Sequence, residues 1–130
     1  MTMLERIMVV EDDPDILDIF EMSLAMLGGF DVTLCENARE ALERIPLSEP
    51  QLIVLDVMLP ELSGPDALPM IRALPGGSRR VIVIMTARAS AQGRAAYLDL
   101  GADEVLFKPF EPTELPGVLR AVWDARQQRA

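Results

Sequence analysis

The stretch Leu52-Ile53-Val54-Leu55-Asp56-Val57-Met58-Leu59-Pro60-Glu61-Leu62-Ser63-Gly64 sets a short apolar run against an acid and then a turn. A continuous run of four aliphatic residues fits a strand covered on both faces, as in a parallel sheet. Ile7–Val10 and Val81–Met85 have the same character, and Asp31–Cys35 and Val105–Phe107 are weaker strand candidates.

Helical patterns alternate with these runs. Pro14 opens the first behind Asp13 as N-cap, with Ile16, Phe20, Leu24 and Leu27 as its apolar face, and Gly28-Gly29 close it. Asn37 and Glu40 resemble a capping box ahead of a face of Ala38, Ala41, Leu42 and Ile45. A third helix is expected within Pro65–Leu74, with Pro69 forcing a late start or a kink. The fourth is expected over Ala91–Leu100, stopped by Gly101. The fifth is expected over Pro112–Gln127, with Leu115, Val118, Leu119 and Val122 facing inward and about 127–130 left as a short tail. Five strands alternating with five helices predict βαβ units, a parallel sheet and helices on both faces. The 130 residues fit a single domain.

In such sheets ligands bind beyond the carboxyl ends of the strands. Glu11 and Asp12 follow the first strand, Asp56 ends the third, Thr86 follows the fourth, and Lys108-Pro109 follow the fifth. Three carboxylates in one crevice repel each other, and a divalent cation removes the conflict. The chain contains no histidine, so oxygen must supply the metal ligands. A cation, a lysine and a hydroxyl around one carboxylate form a receptor for phosphoryl oxygens, and Asp56 can serve as nucleophile. Lys108 is the single lysine beside eleven arginines. A compact ammonium is wanted where a planar fork does not fit.

The net charge of −9, with seven acids against one base in the first 21 residues, opposes nonspecific binding to nucleic acid or anionic membrane. Lone Cys35 excludes an internal disulfide and reads as a small buried apolar residue. No apolar stretch approaches transmembrane length and no signal peptide is visible, so the cytoplasm is the expected location.

With these motifs in order, the chain resembles the receiver domain of two-component response regulators. The matching stretches are Ile7–Pro14, Leu52–Gly64, Val81–Ala87 and Gly101–Phe110. The resemblance implies a flavodoxin-like α/β fold, a doubly wound five-stranded parallel sheet in the order 2-1-3-4-5, spanning residues 1–130 as one receiver domain. It implies Asp56 as phosphoacceptor. Magnesium, with manganese able to substitute, would be bound by Asp12, Asp56 and the backbone carbonyl of Met58, and by Glu11 through water. Lys108, Thr86 and the Ala87 backbone N–H would hold phosphoryl oxygens, and Pro109 would follow a cis peptide bond. The implied donor is a sensor histidine kinase or a histidine phosphotransfer protein. The implied output is a downstream protein, or a homodimer, met through the face of helix 4, strand 5 and helix 5. Arg120, Asp103 and Glu104 are expected to pair across such a dimer.

The chain departs from the family at Val105, where an aromatic switch residue is usual and which neither Tyr97 nor Phe107 replaces. A smaller or differently routed surface change is expected. Met58 and Arg88, two residues after Asp56 and Thr86, are expected to border the site and to influence hydrolysis. Three other functions compete. A dehalogenase-type phosphohydrolase wants an aspartate where Met58 stands. A flavin-binding protein wants a glycine- and hydroxyl-rich loop where Glu11-Asp12-Asp13 stand. A phosphorylation-independent interaction module with the same fold is opposed by the complete acidic set and Lys108, while Val105 leaves it some room. On this reading the chain is no enzyme beyond catalysing its own phosphorylation and dephosphorylation. Few residues follow the last helix, so the chain is expected to be a stand-alone receiver or a piece of a longer regulator.

Overall fold

The computed structural model describes residues 2–129. Five strands, β1 (Arg6–Val10), β2 (Asp31–Cys35), β3 (Leu52–Asp56), β4 (Val81–Thr86) and β5 (Glu104–Phe107), form one parallel sheet in the order β2-β1-β3-β4-β5. The helices are α1 (Pro14–Glu21), α2 (Ala38–Ser48), α3 (Gly64–Ala73), α4 (Ala91–Asp99) and α5 (Leu115–Arg129).

Strand alternation divides the core in two. Ile7, Val9, Val54 and Val83 pack with Leu17, Phe20 and Leu24 of the first helical segment and with Leu115, Leu119 and Trp123 of α5. Met8, Val10, Ile53, Leu55, Ile82 and Ile84 pack on the other face with Ala41 and Ile45 of α2 and Leu68 and Ile71 of α3. Both faces of β1, β3 and β4 are therefore dry, which is why these strands read as continuous apolar runs. Each such side chain contributes roughly 1.5–3 kcal/mol by burial.

Local signals start the helices as expected. The Asp13 side chain accepts from the Asp15 N–H at 2.9 Å, and Asn37 accepts from the Glu40 N–H at 2.8 Å. At Gly64 any Cβ would lie 2.1 Å from the Asp56 carbonyl oxygen. Glycine there lets α3 begin directly against the end of β3.

Several expectations are corrected. The first helix changes to π-helical geometry over Met22–Leu27, with the Gly28 N–H bonded to the Ser23 carbonyl. The wider turn rotates Leu27 out to 58% exposure, and Leu17 joins Phe20 and Leu24 as the buried set. The third helix does not start late. It begins at Gly64, capped by Ser63, and carries Pro69 inside.

The fifth helix starts at Leu115, because residues 112–114 form a turn in which Glu111 accepts from Glu114 and Leu115. Its inward residues are Leu115, Pro116, Leu119 and Trp123, whereas Val118 is exposed. It runs through Arg129, so residues 127–129 belong to the helix rather than to a tail.

Arg120, Asp103 and Glu104, expected to pair across a dimer, have partners within the chain. Arg120 donates to the Gly28 carbonyl at 2.6 Å and lies over the Phe30 ring. Asp103 pairs with Arg72 and Arg126, and Glu104 pairs with Arg94.

Candidate functional site: an acidic crevice at the carboxyl end of the sheet

Register brings the strand ends together. Val10 pairs with Leu55, Asp56 with Met85, and Thr86 with Phe107. The residues that follow therefore converge over β1, β3 and β4. Backbone bonds fix them there: Glu11 donates to Cys35, Val57 to Met85, Gly64 to Val57 and Lys108 to Thr86.

Carboxylate oxygens of Glu11, Asp12 and Asp56 all lie within 4.8 Å of one another. Glu11 and Asp56 are buried, whereas Asp12 is exposed. The Lys108 ammonium sits 3.0 Å from Asp56 Oδ1 and also donates to Glu11 Oε1. One cation thus faces three acids, two of them deprived of water.

Burial pushes the Glu11 carboxyl above its ordinary value. The Lys108 hydrogen bond opposes this, and the charge of Asp56 adds to it. Burial likewise raises Asp56, with Lys108 again opposing and Asp12 adding. Burial alone would lower Lys108, but its bonds to Glu11 and Asp56 outweigh that and raise it. The crevice is therefore short of positive charge. A hard divalent cation fits this donor set, because three carboxylate oxygens at such separations are the ligands it uses.

Thr86 is buried, and its Oγ accepts from the Arg88 N–H at 3.1 Å. Ala87 and Arg88 are exposed, and the Met58 side chain is 79% exposed. The Lys108–Pro109 peptide is cis. Val105 is buried in the core cluster on the α2–α3 side of the sheet. Cys35 is buried without exposure, and burial raises its thiol to about 11, so it is an inert core residue.

Three contacts at the site have no counterpart in the sequence reading. The Glu11–Lys108 pair joins residues 97 apart. The loop that follows Lys108 is clasped by the first helix: Phe110 stacks on Phe20 at 4.6 Å, and the buried Ser23 hydroxyl donates to the Pro112 carbonyl at 2.5 Å. Phe110 lies inside a recognisable motif, but Ser23 carries no sequence signal. The π-helical geometry accompanies its placement.

The fold and site define a doubly wound α/β domain with an acidic cluster at the carboxyl end of its sheet, and the comparisons specify its family. Residues 7–120 match the family model for the response regulator receiver domain. The chain belongs to that family. It is 40% identical over 117 residues to response regulator MprA of Mycolicibacterium vanbaalenii, covering 90% of this chain and 49% of that protein. The chain thus spans about half the length of the MprA relatives it matches. An uncharacterized 14.6 kDa protein of Leptolyngbya boryana is 38% identical over 109 residues, covering 84% of this chain and 82% of that one. A solved CheY-like receiver domain protein from Methanospirillum hungatei superposes with a TM-score of 0.83 at 28% identity, covering 98% and 99% of the two chains. Among the described residues no helix is long and apolar enough to cross a membrane.

Proposed function

We propose that Asp56 accepts a phosphoryl group from a sensor histidine kinase or a histidine phosphotransfer protein. The observation that carries this reading is the placement of Lys108 between Glu11 and Asp56 in a crevice of three carboxylates. An Asp56 carboxylate oxygen attacks phosphorus, a P–O bond forms, and the P–N bond to the donor imidazole breaks. The bond electrons return to the imidazole nitrogen. Water later attacks the acyl phosphate and restores the carboxylate with release of phosphate.

Glu11, Asp12, Asp56 and the Met58 carbonyl would hold magnesium, or manganese in its place. Held by these oxygens, such an ion would supply positive charge to offset the carboxylates and the phosphoryl oxygens. Lys108 shifts from carboxylates to phosphoryl oxygens, and the Thr86 hydroxyl and Ala87 N–H bind the remaining ones. Exposed Arg88 and Met58 flank the approach of water and set the lifetime of the acyl phosphate. The chain catalyses no reaction beyond this cycle, and it acts in the cytoplasm. Output passes through α4, β5 and α5 to a protein partner or a second copy, without nucleic acid or membrane. Light scattering with and without a phosphoryl mimic tests the second copy.

Val105 favours one other reading, an interaction module that never turns over phosphate. Incubation with phosphoramidate and magnesium, followed by intact mass, separates the two. One added phosphoryl group that disappears in Asp56→Ala is expected. No adduct, or one that survives the substitution, removes Asp56 from this role.

A further inference from the structure

The opposite end of the sheet holds a second concentration of charge, of the other sign. A cavity of about 590 Å³ opens there between the start of β1, the loop before β3, the loop before β4 and the end of α5. Arg6, Arg79, Arg80 and Arg126 line it, with Glu49 as the one carboxylate on its wall. Four of the twelve cations of a chain of net charge −9 thus share one cavity.

The arginines are held mainly by neutral groups. Arg6 Nε donates to the Glu49 carbonyl at 2.8 Å. Arg80 Nε donates to the Pro50 carbonyl at 3.2 Å and its Nη1 to the Pro75 carbonyl at 2.8 Å. Arg126 Nη2 donates to the Ser78 carbonyl at 2.9 Å, and this residue alone also has a close carboxylate partner, Asp103. Arg6 approaches Glu5 no closer than 4.0 Å. Elsewhere Arg39, Arg44, Arg72 and Arg94 each pair with an acid. In a chain rich in acids, Arg79 and Arg80 have no carboxylate partner among the described residues, and the exposed Arg79 side chain clamps nothing.

Carbonyl anchors orient a guanidinium without neutralising it, and they leave its remaining N–H groups free. Burial lowers Arg80 from its ordinary value, and neighbouring Arg79 adds to the effect against the opposing charge of Glu49. An anion relieves that crowding.

We propose that this cavity binds a phosphate-class oxyanion carrying two or more charges, far from Asp56 and independently of its phosphorylation. Arg80 and Arg6 form the fixed wall, and Arg79 closes on the ligand. The same chemistry is offered by a free polyphosphate and by a phosphorylated side chain of a protein. The cavity exceeds what a single phosphate fills, which favours a ligand with more than one charged group.

The test is NMR titration of the metal-free chain with inorganic pyrophosphate, and in a second arm with a phosphoserine peptide. Saturable shifts are expected at Arg79, Arg80 and Gly76 while Asp56 and Lys108 stay unmoved. Arg79→Ala should weaken binding by about tenfold without unfolding the chain, since its side chain is exposed. Stronger binding of pyrophosphate assigns a free ligand, and stronger binding of the peptide assigns a protein partner. Absence of saturation up to roughly millimolar ligand, shifts centred on Lys108, or unchanged affinity in Arg79→Ala overturns the site.

Discussion

The carboxyl and amino ends of this sheet solve opposite charge problems. At the carboxyl end Glu11, Asp12 and Asp56 converge on the single cation Lys108. At the amino end Asp103 is shared by Arg72 and Arg126, and it also accepts from the Ile82 N–H. The amino-end arginines rest on carbonyls and leave no buried acid unpaired. The Asp103 cluster is satisfied there and the fold benefits, while Arg79 and Arg80 keep positive charge without a carboxylate partner among the described residues. The carboxyl end stays electrostatically unfinished, and such a site has something left to bind. One end therefore gathers uncompensated negative charge, and the other combines a stabilising ion-pair cluster with arginines that face a cavity.

The sharpest way to break this contrast is Lys108→Arg. A planar fork cannot replace a compact ammonium between two carboxylates. The rate of adduct formation with phosphoramidate should fall by about 100-fold, with the unfolding midpoint little changed. Retained rate would mean that any cation suffices.

Asp103→Ala addresses the other end. It strands two arginines that are partly buried, and should cost about 2 kcal/mol in urea denaturation, with adduct formation nearly intact. A large loss of phosphorylation without loss of stability would reverse the division of labour.

The pH dependence sharpens the comparison further. Glu11 and Asp56 are raised in the folded chain, so their stabilising contribution is present below the unfolded carboxylate values and is lost as pH rises through the folded ones. Metal-free protein should therefore gain stability as pH falls from neutral toward the ordinary values of 4.5 and 3.8. Asp56→Asn should gain on the order of 1 kcal/mol at pH 7 and flatten that profile. Saturating magnesium at pH 7 should raise the melting temperature of the parent more than that of the variant. A profile falling monotonically from pH 7 downward in metal-free protein would contradict the crevice electrostatics.

The smallest effect concerns the loop that follows Lys108. Ser23→Ala leaves the Pro112 carbonyl without its partner and should cost about 1 kcal/mol. If the clasp also steadies Lys108, adduct formation slows a fewfold at saturating magnesium. An unchanged rate confines Ser23 to stability.

Much of the site is legible in the sequence. Asp56, Glu11, Asp12, Thr86 and Lys108 were identifiable because each sits at the end of an apolar run, and a parallel sheet gathers such ends. Boundaries were less legible where local patterns misled. Val118 repeats at helical spacing with Leu115 and Val122, yet α5 buries Trp123 and exposes Val118. Leu27 fits an α-helical stripe, and π-helical geometry turns it outward.

The sequence by itself determined the alternation of strands and helices, the caps at Asp13 and Asn37, and the acids poised after β1 and β3. Each of these follows from interactions within a few residues or from an element's own need to bury one or both faces. Tertiary structure alone decided that Lys108 also meets Glu11, that Ser23 reaches Pro112, that Asp103 is claimed by Arg72 and Arg126, and that Arg6, Arg79, Arg80 and Arg126 share one cavity. Periodicity records how deeply a residue is buried. Which charge it faces depends on strand order and helix crossing, and those are settled by the packing of the whole chain.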